Sequence, residues 1–147
     1  MTKRNHGTPG TALRDLALQL REEGTPISPH VVEPVAAPEL GLLAAAGPRT
    51  AAAPGEYALV VEAVREGYLL HYARPRLLSG HDEDLALLAG DYLYALGLDR
   101  LAALGDSVAV TILSDLISRC AQLHAERRDE AAEPLWEAAA RRIAGTA

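Results

Sequence analysis

Seven of the nine prolines, Pro9, Pro26, Pro29, Pro34, Pro38, Pro48 and Pro54, fall in the first 55 residues of the chain, and only Pro75 and Pro134 follow. Proline fixes φ and removes a backbone donor, so a helix interior rejects it. The first third therefore cannot be a regular bundle, whereas the remainder is free to be helical. Residues 1–55 are expected to form an N-terminal helix and a Pro/Ala-rich arm or linker, and residues 56–147 a helical domain. Within the first part, Thr11 to Glu23 predicts one amphipathic helix, with Thr11 as N-cap and Leu13, Leu16 and Leu20 on one face. Gly24-Thr25-Pro26 stops it. The Ala/Pro stretch from Pro29 to Pro54 reads as the arm, interrupted by a short helical piece from Glu39 to Ala46. Such an arm is of the kind that orders on a partner.

The apolar residues decide the class of the rest. They make up 49% of the chain, Ala and Leu dominate, and Phe is absent; Ala and Leu have the strongest helix propensities. From Glu56, residues Tyr57, Val61, Val64, Tyr68 and Tyr72 recur at helical spacing up to Arg74-Pro75, where the proline turns the chain. The next helix runs from about Asp82 to Leu104. Asp82, Glu83 and Asp84 crowd its first turn, where negative charge suits the helix dipole, and Gly105 closes it. Leucines and tyrosines cover nearly every side of this helix, which predicts either the centre of the domain or a seam shared with another subunit. A further helix starts at Asp106-Ser107 and runs to about Arg127, with Ile112, Leu113, Leu116, Ile117, Cys120 and Leu123 as its core face. The last, near Glu133 to Ile143, carries Trp136, with Pro134 in its first turn. The expected fold is all-α: a helical bundle of about four helices with a Pro/Ala-rich N-terminal arm.

Charge and cysteine usage narrow the function classes. A net charge of −6 argues against nucleic acid, whose phosphates require a basic face. The single cysteine, Cys120, forms no intrachain disulfide or zinc site, and its apolar neighbours predict a buried spacer. No stretch approaches the ~20 apolar residues of a membrane span, and no apolar signal core follows the basic start, so a cytoplasmic protein is expected.

The segment Leu85 to Asp106 reads LALLAGDYLYALGLDRLAALGD. It resembles a helix of the trans-isoprenyl diphosphate synthases, with an Ala/Leu-rich lead-in, the Gly90-Asp91-Tyr92-Leu93 core and a later Leu-Gly-Asp turn at Gly105 and Asp106. Ile117 to Glu126 is similar in character, and weaker likeness reaches back to Glu56. The resemblance implies prenyl-synthase-like helices, some of which form the family's dimer interface.

That family ionises an allylic diphosphate held by magnesium, which requires clustered carboxylates on one helix face. The place of its first Asp-Asp-x-x-Asp motif, Val60 to Tyr68, holds no aspartate pair. Glu62 and Glu66 stand one turn apart there, and Arg74-Pro75-Arg76 only faintly echoes the family's diphosphate-binding turn. The resemblance thus points to the non-catalytic small-subunit type. We expect a non-catalytic helical subunit or scaffold, homo- or hetero-oligomeric, with a larger enzyme subunit as one class of partner. It would have room for an isoprenoid or quinone tail and no metal or other cofactor. The alternatives are an accessory subunit of a quinone-linked oxidoreductase, or an enzyme of isoprenoid metabolism using Glu62, Glu66 and the Asp82–Asp84 run.

The candidate isoprenoid-binding or interface residues are Tyr68, Tyr72, Asp91, Tyr92 and Tyr94. Tyrosine joins apolar area to a polar tip, which suits a tail pocket, although at helical spacing it equally suits a core. Asp91 sits in a strongly apolar helix, where a carboxylate needs a partner or an exposed position. His71 and His124 have no partner at metal-ligand spacing. His81 with Asp84 is the only metal-like pair in the acidic run, whose plain reading is a helix cap.

Overall fold

The computed structural model describes residues 7–146. Those residues form six α-helices and no strand: α1 (Ala12–Glu22), α2 (Glu39–Ala45), α3 (Pro54–Tyr72), α4 (Glu83–Ala103), α5 (Ser107–Ala125) and α6 (Ala132–Ala144). Each boundary lies within two residues of the one the sequence predicts. The acidic run before α4 supplies a cap as expected, Asp82 accepting from Leu85 N–H at 2.9 Å, and Asp106 caps α5 by accepting from Ala109 N–H at 3.0 Å. Thr11 stands at the N-cap of α1, but its hydroxyl donates to Thr8 O and Asp15 Oδ2 instead of accepting a backbone N–H.

The expectation of about four helices with an arm is corrected in one respect. Two of the six helices, α1 and α2, lie in the first third and pack against α3. Leu13, Leu16 and Leu20 are at most 2% exposed, and burying a leucine is worth about 1.5–3 kcal/mol. They share a core with Leu59 and Ala63 of α3, with Leu77 and Leu78, and with Ala89 and Leu93 of α4. Further along, Val32 N–H donates to Leu77 O and Ser79 N–H to His30 O, around a single bridge between Val31 and Leu78. The prolines do break regular structure here, but the short pieces between them retain enough apolar area to be held.

The centre of the fold is α3. Thirteen of its 19 residues are buried, and it packs against α1, α2, α4 and α5. A second core joins its opposite side (Tyr57, Val60, Val61, Val64 and Tyr68) to the inner faces of α5 and α6, including Cys120 and Trp136. Cys120 is fully buried, as its neighbours predict. The helix that reads in the sequence as apolar on nearly every side, α4, lies on the flank, packed mainly against α3. It approaches α3 through glycines: a Cβ on Gly67 would stand 2.8 Å from Gly90 O, and one on Gly97 would stand 2.5 Å from Val64 Cγ2. Its outward face leaves Leu87 and Leu88 more than half exposed. Among the described residues, no helix is long and apolar enough to cross a membrane.

Candidate functional site: a buried carboxylate–guanidinium clamp and its groove

Glu62 and Glu66 are one helical turn apart on α3, and both are completely buried. Leaving two carboxylates unpaired in an interior would be prohibitive. The compensating charge comes from the turn after α3. Pro75 ends the helical direction, and Arg76 folds back so that its Nη1 donates to Glu62 Oε1 at 2.7 Å and its Nε to Glu66 Oε1 at 2.9 Å. Backbone donors take the remaining oxygens. Gly41 N–H of α2 donates to Glu62 Oε2, and Arg76 N–H and Leu77 N–H donate to Glu66 Oε2. Burial disfavours the charged guanidinium, but the two carboxylates outweigh that and raise the Arg76 pKa. One clamp thereby fixes α2, α3 and the following turn together.

Every oxygen of the Glu62–Glu66 pair is engaged inside the protein. The Asp82–Asp84 run lies at the start of α4, where Asp82 acts as the cap. Among the described residues, no group of three or more His, Cys, Asp or Glu side chains is arranged to hold a metal ion.

Beside the clamp lies a groove of about 640 Å³ between α2, α3 and α6, within the ordinary range for ligand sites. Its walls are Leu40, Leu43 and Leu69, and Glu39, Glu133 and Glu137 also line it. Arg65 and Arg76 contribute the guanidiniums. Arg65 Nη2 donates to both carboxylate oxygens of Glu133 (2.8 and 3.0 Å), and the guanidinium lies over the rings of Tyr68 and Trp136. Arg65 Nη1 and Arg76 Nη2 are buried without a hydrogen-bond partner among the described residues.

The candidate tyrosines divide between two places. Tyr68, Tyr72 and Tyr94 come together with His71 and His124 where α3, α4 and α5 meet. Tyr68 is core; its hydroxyl is hydrogen-bonded to His124 Nε2 at 2.7 Å, and its ring packs edge-on against Trp136. Tyr72 is 39% exposed and stacks on His124 with ring centroids 4.1 Å apart. Tyr94 packs against His71 and is half-buried. Asp91 is largely exposed and lies 3.0 Å from His71 Nε2, so it has both an open position and a hydrogen bond to the neighbouring helix. Tyr92 points elsewhere, and its hydroxyl donates to Glu23 at the end of α1. His71 and His124 thus each have a partner that spacing in sequence does not reveal.

Sequence reasoning singles out the Glu62–Glu66 spacing but assigns it no structural role, and it misses Arg76 as the clamp. The available signal was the pair's setting: two acids among Val60, Val61, Ala63, Val64 and Gly67, on a helix with too little polar surface to keep them wet. Comparison with protein-family models, with curated proteins and with solved structures finds no match to this chain.

Proposed function

We propose that this chain is a non-catalytic helical subunit that docks a partner chain along the outward face of α4. The observation that carries this reading is the adjacent pair Leu87 and Leu88, 54% and 55% exposed, on a helix whose opposite face is already packed against α3. Two neighbouring leucines held in water on a rigid helix are the type of apolar contact a protein interface buries. Tyr72, also exposed, adds an aromatic at the end of α3. The engagement of Glu62 and Glu66 with Arg76 supports the non-catalytic part, since free carboxylates are what a magnesium-dependent prenyl chemistry requires. The same proposal assigns any isoprenoid or quinone tail to the surface around Tyr72 and Tyr94. It includes a quinone-linked oxidoreductase as one class of larger partner.

The test is native mass spectrometry of the tagged chain isolated from its own host, with organic extraction of bound lipid. The expected result is a stoichiometric complex, homomeric or heteromeric, that the Leu87→Glu/Leu88→Glu variant dissolves while its circular dichroism stays unchanged. A lipid-free monomer, or a complex indifferent to that variant, overturns the reading.

A further inference from the structure

The groove beside the clamp has a chemistry distinct from the leucine face of α4. Carboxylates among its lining residues outnumber guanidiniums two to one: Glu39, Glu62, Glu133 and Glu137 against Arg65 and Arg76. Both guanidiniums are already paired to carboxylates. The local surplus is negative, so an anionic ligand is repelled and a cationic one is attracted. The walls are leucines, so the ligand also carries apolar groups. A peptide combines both properties: basic side chains for the acidic rim, and aliphatic side chains for Leu40, Leu43 and Leu69.

We propose that the groove between α2, α3 and α6 receives a basic, leucine-bearing peptide segment of the partner chain. The proposal rests on the subunit reading and supplies the partner's chemistry at a second surface. Glu39 and Glu137 are exposed and free to turn toward a basic side chain; Glu137 has only a long 3.7 Å pair with Arg141.

The experiment is fluorescence anisotropy with three labelled eight-residue peptides, alternating Leu/Arg, Ser/Arg and Leu/Glu. The full chain is compared with Glu39→Gln/Glu137→Gln and with a charge-matched control, Glu83→Gln/Asp84→Asn, at the start of α4. All four substituted positions are exposed, and a thermal melt verifies the fold. The Leu/Arg peptide should bind, the rim variant should weaken it about tenfold, a loss of about 1.4 kcal/mol, and the control should bind as the parent does. Equal weakening in both variants, equal binding of the Ser/Arg peptide, binding of the Leu/Glu peptide, or no binding at all overturns the proposal. The subunit reading is decided separately, by the mass of the complex and its response to Leu87→Glu/Leu88→Glu, so the two can fail independently.

Discussion

At the scale of single residues, the clamp joins three charges that only make sense together. Glu62 and Glu66 are tolerable in the interior because Arg76 and three backbone N–H groups engage their oxygens. Buried ion pairs contribute little net stability against apolar replacements, but removing one member leaves the other stranded. Arg76→Met should therefore lower unfolding free energy by about 3–5 kcal/mol, read as a drop in urea midpoint with little change in slope. Removing all three charges, with methionine at each position, should recover part of that loss. Recovery stops short because the backbone N–H groups of Gly41, of position 76 and of Leu77 then lose their acceptors, at about 1–3 kcal/mol for each buried donor left unpaired. A midpoint unmoved by Arg76→Met would show that the clamp is wetter than its geometry implies.

At the scale of elements, the helices themselves were legible because each carries a helical apolar stripe bounded by a stop or cap. Asp82, Gly105 and Asp106 mark their positions in the sequence and in the structure alike. The order of packing was not legible. From the sequence, α4 reads as apolar on nearly every side, hence as the centre of the domain or a shared seam, while α3 reads as a single apolar stripe on a helix that also carries Glu62, Arg65 and Glu66. They are neutralised by Arg76 on the next turn and by Glu133 on α6, contacts that no local pattern encodes. What places α4 against α3 is the absence of side chains at Gly67, Gly90 and Gly97. A Cβ at Gly67 would stand 2.7 Å from Tyr94 Cδ1 and 2.8 Å from the Gly90 carbonyl oxygen. Alanine improves helix propensity over glycine by about 1 kcal/mol, yet overpacking a tight contact costs about 1–3 kcal/mol. At Gly67 the contact includes backbone, which cannot swing aside, so Gly67→Ala should be net destabilising in a thermal melt. Ala95→Gly, on the exposed side of α4, should cost only the propensity difference. A stabilised Gly67→Ala protein would mean that the two helices approach less closely.

At the scale of the whole molecule, all five tyrosines share one property that binds stability to alkaline pH. Each has its pKa raised, with burial as the largest cause. Tyr57, Tyr68 and Tyr92 are each pushed up to about 12; beyond burial, Tyr57 feels the Asp106 carboxylate it donates to, Tyr68 the negative charge of an ionised Cys120, and Tyr92 the Glu23 carboxylate. The unfolded chain releases these protons near the ordinary value of about 10, while the folded chain retains them. Between those two values the folded state binds more protons, so stability falls as pH rises. The contribution is complete below about pH 10 and is lost as pH climbs through about 12. Three of these residues join different parts of the fold: Tyr57 links α3 to the cap of α5, Tyr68 links α3 to α5, and Tyr92 links α4 to α1. Ionising any of them places a charge at a helix junction, so the molecule should unfold cooperatively instead of titrating site by site. A spectrophotometric titration should show little tyrosinate near pH ~10, then a steep rise coincident with loss of helical circular dichroism, and the melting temperature should fall across the same interval. Five tyrosines ionising near pH ~10 with the helix signal intact would contradict the hydrogen-bonded junctions from which this expectation is drawn.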